Sequence, residues 1–548
     1  MIGLAALAGW VALSPPLARA QVRIPSSAVA DEEQVSRVLQ KGQQLERERR
    51  WGEALAHYED AVKSHPERRD FHDRLTLSKA HFDVARRYSD GSFRHTVEKL
   101  READALELYS EVLTKIHTHY VQPPNWHDLV RRGTFMLEVA LTEPTFLEKH
   151  LPGVSAAKIN LCRDQLRDMT DTRETASRYE ARDSVIAATR FAVGELGLPA
   201  EAVILEYTCG ATSSLDEYSS FLTGDQLDEV FSQIEGNFVG LGIELKSENQ
   251  ALLIVNVIAG SPADKGGLRR GERIVAVDGQ ATTDITTDAA ADLLKGTEGS
   301  TVSVEVLDAQ DAARTVRLLR ERVEVPSVED VKLADPSYGI GYLKLSSFQK
   351  TTSRDVDAAL WKLHKLGMKS LIVDVRGNPG GLLTAAVEVA DKFVSQGTIV
   401  STKGRNPSED FDHKAHSVGT WRVPLVVLID GDSASASEIF AGAIRDHRRG
   451  KIVGQKSYGK GSVQGIFPLA TTNAGVRLTT AKFFSPSGHA ISKVGVAPDI
   501  RVPLDPKPHL VAKPAGETVA HIKNTPPTDT VLNEGLKHAR NQLSQRQP

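Results

Sequence analysis

Residues 423–447 read VPLVVLIDGDSASASEIFAGAIRDH, and they predict a strand, a sharp turn and a helix. The run Val423–Ile429 is apolar and rich in β-branched residues, which is typical of a buried strand. A Gly-Asp-Ser turn follows, and either Ser435 or Ser437 can cap a helix over Glu438–His447. A serine on a sharp strand-to-helix turn is exposed next to a helix N-terminus, where negative charge is favoured. Ser435 is therefore a candidate acyl-transfer nucleophile.

A candidate base for this serine lies in the segment Ser457-Tyr-Gly-Lys-Gly-Ser-Val-Gln464. A serine hydroxyl is a weak nucleophile and needs a base, yet no histidine stands in a motif near the turn. Lys460 can take this role when it is neutral, which requires a desolvated amine with a depressed pKa. The plainer interpretation is a helix-capping serine and an ordinary surface lysine in a glycine turn.

Length and composition place the chain among soluble globular proteins. Its 548 residues predict three or four domains, and its 40% hydrophobic and 25% charged content is ordinary. The formal net charge is −4, and the charges are mixed along the chain, so nothing indicates a nucleic-acid partner.

The N-terminus has the features of an export signal. Ile2–Leu17 is almost wholly apolar, and Ala18-Arg-Ala20 matches a signal-peptidase cleavage pattern. We therefore expect residues 1–20 to be a signal peptide and the protein to be periplasmic or otherwise extracytoplasmic, attached to a membrane if the N-terminus stays uncleaved. No lysine or arginine precedes the apolar run, and the alternative is a buried N-terminal helix.

The two cysteines leave their state open. Export would permit a disulfide between Cys162 and Cys209, but two buried free thiols are equally compatible with the sequence. No histidine stands at metal-ligand spacing from either cysteine, so the sequence indicates no zinc site.

The first part of the chain is charged and helical. Within 30–102, a tetratricopeptide (TPR) pattern is matched in one frame by Gly42, Ala54, Tyr58, Ala61 and Pro66. This region is a possible binding site for an adaptor protein, and the alternative is an unrelated helical hairpin. Residues 103–225 continue as a helical region that leads into the later domains.

Residues 226–322 change to short strands and glycine turns. The order Gly240-Leu-Gly-Ile243, Gly260-Ser-Pro-Ala263 and Val277-Asp-Gly279, with a helix expected at Thr287–Leu294, resembles a PDZ domain. PDZ domains bind an extended peptide as an added strand and hold its terminal carboxylate in backbone amides. The resemblance makes Gly240, Leu241, Gly242 and Ile243 the peptide-binding loop.

Residues 323–505 alternate buried strands and helices in an α/β pattern. The strand that ends at Val375 is followed by Arg376-Gly-Asn-Pro-Gly-Gly-Leu382, and a turn of this kind presents free backbone amides. Such amides could form half of an oxyanion hole, although a plain tight turn is the simpler interpretation. Residues 506–548, rich in Pro, Lys and Thr, are expected to be a flexible tail with a short helix at Thr530–Leu543.

Taken together, these motifs resemble the carboxyl-terminal processing peptidases, a family of tail-specific serine peptidases. The resemblance rests on Asn378-Pro-Gly-Gly381, Ser433-Ala-Ser-Ala-Ser-Glu438 and Gly459-Lys-Gly-Ser-Val-Gln464, with the PDZ domain upstream. It implies a multidomain protein with a helical N-terminal part, a PDZ domain and a crotonase-like α/β peptidase core.

The resemblance also implies roles for individual residues. Ser435 would be the nucleophile, Lys460 the general base, and Gln464 the residue that orients the lysine amine. The backbone amides of Gly381 and Ala436 would form the oxyanion hole, with Gly380 as a substitute for Gly381. Substrates would be proteins with free apolar C-termini or unfolded exported proteins, and neither a metal nor another cofactor is needed.

Two rival functions follow from the same parts. A catalytically silent chain could serve as a peptide-binding scaffold through its PDZ and TPR-like modules. Crotonase-like cores also process acyl thioesters. The intact Ser435, Lys460 and Gln464 argue against the scaffold, and the PDZ domain together with the Ser/Lys motifs argues against thioester chemistry.

Overall fold

The computed structural model describes residues 26–248, 251–282, 293–308, 310–503 and 529–545. The chain divides into two compact units. The first contains residues up to Ser89 together with Val139–Leu147, and the second contains Asp90–Glu138 and the chain from Glu148 onward. The predicted signal peptide lies outside the described residues.

Helices occupy most of the first half of the chain and recur between the later strands. They are α1 (Ser26–Arg47), α2 (Trp51–Ser64), α3 (Arg69–Ser89), α4 (Gly91–Lys99), α5 (Glu102–His119), α6 (Trp126–Ala140), α7 (Pro144–His150), α8 (Ala156–Asp171), α9 (Arg178–Leu196), α10 (Ala200–Ser213), α11 (Gly224–Glu235), α12 (Pro262–Lys265), α13 (Thr352–Lys365), α14 (Leu383–Asp391), α15 (Ala436–Asp446) and α16 (Thr530–Ser544). Within the described residues, no helix combines the length and the apolar character needed to cross a bilayer.

The strands begin at Ser220, after the first ten helices. They are β1 (Ser220–Leu222), β2 (Asn237–Gly240), β3 (Ile243–Glu248), β4 (Ala251–Val257), β5 (Arg273–Val277), β6 (Gln280–Ala281), β7 (Thr301–Leu307), β8 (Ala313–Leu319), β9 (Glu321–Glu324), β10 (Val328–Asp335), β11 (Ile340–Leu345), β12 (Ser370–Asp374), β13 (Thr398–Gly404), β14 (Phe411–Lys414), β15 (Leu425–Ile429), β16 (Lys451–Gly454), β17 (Ser462–Pro468), β18 (Gly475–Phe484) and β19 (Ile500–Arg501).

In the first unit, α1 and α2 meet through small residues. A Cβ on Gly42 would lie 2.2 Å from the ring of Tyr58, so only glycine lets the two helices approach this closely. Ala54 and Tyr58 are fully buried, and Phe71 of α3 completes the cluster. The TPR interpretation of this region stays a prediction.

The helices of the second unit bury both cysteines. Cys162 lies on α8 and Cys209 on α10, and neither forms a disulfide. Burial raises the pKa of the Cys162 thiol to about 11, so this group stays protonated and unreactive at neutral pH. Of the two open possibilities, the structure has two buried thiols and not the disulfide.

The predicted PDZ region forms a sheet of its own, in the order β3-β4-β5-β7-β8, with β6 paired to β5. Its core contains Leu252, Ile254, Val304 and Val306, which point inward at alternate positions. The loop around Leu241 separates β2, which pairs with β9, from β3, which pairs with β4. Most of the helix expected at Thr287–Leu294 lies outside the described residues.

The predicted α/β core is a six-stranded sheet in the order β10-β11-β12-β15-β16-β19. Strand β10 runs antiparallel to β11, and the remaining neighbours are parallel. Both faces of the sheet are covered, which explains why β15 is a continuous apolar run rather than an alternating one. On one face, α13, α14 and α15 enclose the larger core, which includes Leu343, Val373 and Phe440.

The other face of the sheet is covered by α16. Ala539 is fully buried there against Tyr342 and Leu428, and Leu536 packs beside it. The prediction that residues 506–548 are a flexible tail is therefore wrong for residues 529–545, although a helix was expected there. The composition of the segment does not reveal that its apolar side covers a sheet face.

A second, antiparallel sheet contains β1, β18, β13 and β14, with β17 also paired to β18. It joins the segment just before the PDZ domain to the region that follows Lys460, because Ser220 of β1 pairs with Arg477 of β18. Gln464 of β17 pairs with Thr479 of β18. This sheet brings residues distant in sequence beside the candidate base.

Candidate active site

The serine turn between β15 and α15 holds Ser435 in a strained backbone conformation. Ser435 has φ +54° and ψ −112°, which is rare for a residue with a side chain. Its two serine neighbours are fully buried and make structural hydrogen bonds: Ser433 Oγ donates to the Val375 carbonyl at 2.8 Å, and Ser437 Oγ donates to the Asn378 carbonyl at 3.0 Å. Of the three serines in this turn, Ser435 is the one whose hydroxyl donates to no carbonyl among the described residues.

The glycine turn lies directly against the serine turn. A Cβ on Gly380, which has φ +108°, would lie 2.8 Å from the Ser435 Cβ and 2.9 Å from the Ala436 nitrogen. The Gly380 N–H donates to Asn378 Oδ1 at 2.8 Å, so this amide is already occupied. Among the described residues, the N–H groups of Gly381 and Ala436 meet no acceptor within hydrogen-bond distance. Of the two predicted glycines, Gly381 is the one with a free amide.

The lysine turn owes its shape to close backbone packing. Gly459 has φ +98°, and a Cβ on Gly461 would lie 2.2 Å from the Ser492 nitrogen. Lys493 N–H donates to the Gly459 carbonyl at 2.7 Å, and Phe483 N–H donates to the Gly461 carbonyl at 3.0 Å. The two glycines therefore let backbone segments approach closely, and the Lys460 backbone between them is fixed.

The Glu438 carboxylate joins the serine turn to the lysine turn. One oxygen accepts from the backbone N–H groups of Ser435 at 2.8 Å and Lys460 at 2.9 Å. The other accepts from Ser457 Oγ at 2.6 Å and the Gly459 N–H at 2.7 Å. Glu438 is fully buried, and its carboxylate accepts from four donors of the protein itself. Sequence reasoning missed this role, although Ser435-x-x-Glu438 is a capping-box pattern.

The Lys460 amine is half-buried and lies over an aromatic ring. Its Nζ is 5.0 Å from the ring centroid of Tyr218, which precedes β1. Burial lowers the pKa of the Lys460 amine below its ordinary value, and the nearby positive charge of Arg477 lowers it further, while Glu217 and Glu438 act in the opposite direction. In the described part of the chain, no hydrogen bond joins Lys460 Nζ to Ser435 Oγ.

The Gln464 side chain bonds to neighbours in its own sheet. Its Nε2 donates to Ser462 Oγ at 2.9 Å and reaches Thr479 Oγ1 at 3.4 Å. The contact with Lys460 that the sequence predicts is absent from the hydrogen bonds of the described residues.

An ion-pair cluster at the start of the glycine turn was also missed. Arg376 donates to both oxygens of Asp374, the buried last residue of β12, and to both oxygens of Asp529, just before α16. Tyr342 donates its hydroxyl to Asp374 at 2.8 Å. The cluster fastens the last described helix to the turn that carries Gly381.

The predicted peptide-binding loop follows β2. Leu241 is buried, and its carbonyl accepts from the Ala263 N–H at 2.9 Å. Gly242 has φ +78°, and a Cβ there would lie 2.3 Å from the Ser261 side chain, so glycine is required. Gly240 ends β2 and Ile243 begins β3, which places the loop at the end of a sheet edge strand.

Comparison with known proteins agrees with this architecture. A sequence model of peptidase family S41 matches residues 339–502, and a PDZ-domain model matches residues 253–308. The carboxy-terminal-processing protease of Bartonella bacilliformis is 36% identical over 362 residues, which are 61% of this chain and 82% of that protein. The carboxyl-terminal-processing protease of Synechocystis sp. is 37% identical over 263 residues, which are 48% of this chain and 61% of that protein.

A solved structure aligns over a longer stretch. The photosystem II D1 C-terminal processing protease is 25% identical and covers 73% of this chain and 92% of its own, with a TM-score of 0.38. A serine-type peptidase with an appended PDZ domain is the class that the sequence matches define. The chain belongs to peptidase family S41, within its carboxyl-terminal-processing proteases, as its motifs predict.

Proposed function

We propose that the chain is an endopeptidase with a Ser435–Lys460 dyad and that it selects substrates by a free apolar C-terminus bound at its PDZ domain. The observation that carries the proposal is the Glu438 carboxylate, which ties the strained serine turn to the lysine turn beside two free backbone amides. A pure peptide-binding scaffold has no need of this arrangement.

The first chemical step is acylation. The neutral Lys460 amine turns toward Ser435 and accepts the hydroxyl proton as Oγ attacks the substrate carbonyl carbon. The negative charge that develops on the carbonyl oxygen is stabilised by the N–H groups of Gly381 and Ala436, which the helix N-terminus of α15 supports. The intermediate collapses, the C–N bond breaks, and Lys460 returns the proton to the leaving amine.

Deacylation repeats the proton transfer with water. Lys460 accepts a proton from water as the water oxygen attacks the ester carbonyl, and the proton returns to Ser435 Oγ when the ester bond breaks. Gln464 is proposed to orient the amine once it has turned, after its amide leaves Ser462 or Thr479. The proposed reaction steps use no metal or cofactor.

The test is cleavage of an unstructured substrate such as casein, followed by mass spectrometry, with the intact chain and its Ser435→Ala variant. Synthetic peptides with a free or an amidated apolar C-terminus test selection by the PDZ domain. We expect cleavage by the intact chain alone, and faster cleavage of the free-ended peptide. Cleavage by Ser435→Ala at the intact rate would overturn the proposal, and binding without cleavage by both forms would favour the scaffold.

We also propose that the protein acts outside the cytoplasm, because residues 1–20 combine an apolar run with the Ala18-Arg-Ala20 pattern. N-terminal sequencing of the protein recovered from a cell fraction outside the cytoplasm should begin at Gln21. Recovery only from the cytoplasm, with Met1 or Ile2 first, would contradict export.

A further inference from the structure

Tyr218 occupies a fixed position over the candidate base. It lies in the loop between α10 and β1, where Asp216 Oδ1 accepts from the Tyr218 N–H at 2.9 Å and the Ser219 N–H at 2.7 Å. Arg477 Nε donates to the Tyr218 carbonyl at 3.0 Å. The loop is thus bonded to itself and to β18.

The same loop is held at two further points. Tyr120 donates its hydroxyl to the Leu215 carbonyl at 2.8 Å, and Ser219 Oγ accepts from the Thr479 N–H at 3.2 Å. Because the backbone is fixed on both sides of Tyr218, the position of its ring is part of the fold. The 5.0 Å approach of Lys460 Nζ to the ring centroid is within the range of a cation–π contact.

We propose that Tyr218 is a positioning residue for Lys460: its ring face holds the charged amine away from Ser435 and releases the amine once it is neutral. This inference rests on the proposed function, in which Lys460 is the base. The physical reason is that the negative face of an aromatic ring attracts an ammonium group but has no comparable attraction for a neutral amine. Loss of the proton and the turn toward Ser435 thereby become coupled.

Several groups set the charge of the amine besides the ring. Arg477 on β18 disfavours the charged amine, whereas Glu217 in the Tyr218 loop and Glu438 on α15 favour it. Burial raises the pKa of the Tyr218 hydroxyl above its ordinary value, with smaller contributions from Glu217 and Tyr458, so the ring stays neutral over the assay range. Like Glu217 and Glu438, the Tyr218 ring thus favours the charged form of the Lys460 amine.

The test compares Tyr218→Leu, which keeps an apolar cover but removes the aromatic face, with Tyr218→Phe, which keeps that face. The readout is the pH dependence of kcat/KM, whose acid limb reports the free base. We expect the midpoint of Tyr218→Leu to fall by about 0.5–1 pH unit, with a gain of about 3–10-fold in rate below the midpoint. Tyr218→Phe should keep the midpoint of the intact chain.

A second readout removes the influence of substrate binding. The rate at which diisopropyl fluorophosphate labels Ser435 should show the same shift of midpoint in Tyr218→Leu. The matched control is Tyr179→Leu, which removes a comparable contact on α9, where the Arg178 guanidinium lies 4.9 Å from the ring centroid. This control should leave the midpoint unchanged. Thermal melting establishes that each variant is folded at the assay temperature.

The outcomes separate the inference from the proposed function. If the intact chain neither cleaves nor becomes labelled at Ser435, the proposed function fails. If the intact chain is active but Tyr218→Leu lowers the rate by one factor at every pH, the tyrosine has only a structural role and the inference is overturned. The inference is also overturned if the midpoint of Tyr218→Leu rises. It is overturned as well if the midpoint of Tyr218→Phe falls as far as that expected for Tyr218→Leu.

Discussion

The serine turn and the lysine turn of the candidate site differ in what the fold fixes. At the serine turn, the groups proposed to act are the Ser435 hydroxyl and two backbone amides, all held by buried neighbours. At the lysine turn, the backbone is equally fixed, but the reactive amine sits at the end of a long side chain and lies over Tyr218. The difference teaches that backbone groups are preorganised here, while the base is left to a side-chain rotation.

The largest expected effect tests whether both turns are needed. Lys460→Met keeps an unbranched side chain of similar length but cannot accept a proton, so we expect kcat to fall by about 10²–10⁴-fold. Steady-state kinetics on a peptide with a free apolar C-terminus measures the loss. Lys456→Met, an exposed lysine before the same turn, is the matched control and should retain activity. Equal activity of Lys460→Met and the intact chain would mean that the fixed serine turn suffices alone.

A second effect tests the link between the turns. Glu438→Gln keeps the shape of the side chain but turns an amide group toward backbone donors, which leaves at least one of them unpaired. We expect the free energy of unfolding to fall by about 1–3 kcal/mol for each unpaired donor, together with a lower kcat. Urea denaturation and kinetics measure the two losses. Glu388→Gln, at an exposed position on α14, should change neither quantity; a Glu438→Gln protein as stable and active as the intact chain would show that the turns hold their positions independently.

The smallest expected effect concerns Gln464, whose amide bonds to Ser462 and Thr479 rather than to Lys460. The proposed role of Gln464 is one hydrogen bond to the turned amine, and one neutral hydrogen bond contributes roughly 1 kcal/mol. Gln464→Ala should therefore lower kcat by less than about 10-fold. A loss of 100-fold or more, with the protein still folded, would show that the working enzyme depends on Gln464 for more than this one bond.

The sequence predicted those parts of the site that depend on local chemistry. The strand, turn and helix around Ser435 follow from a short motif, whereas the sequence left open whether Gly380 or Gly381 offers its amide. The order of those motifs predicted the family and the α/β core, and both predictions were confirmed. Local patterns of this kind can be recognised in a sequence because each one depends on residues only a few positions apart.

The contacts between distant segments were beyond such patterns. Glu438 looks like a helix cap, and only the fold brings the lysine turn to its carboxylate. The pairing of β1 with β18 brings Tyr218 and Arg477 close to Lys460, and no sequence motif predicts this pairing. The packing of α16 escaped prediction for the same reason, since it depends on a sheet face built from other strands.

The backbone of Ser435 has a consequence for how the protein can change over generations. A non-glycine residue at φ +54° and ψ −112° costs of the order of 1–3 kcal/mol, and glycine would adopt this conformation without that cost. Selection for stability alone would therefore favour glycine over serine at this position. Stability and chemistry pull in opposite directions at one residue, and the serine found there is the residue that selection for the proposed reaction would retain.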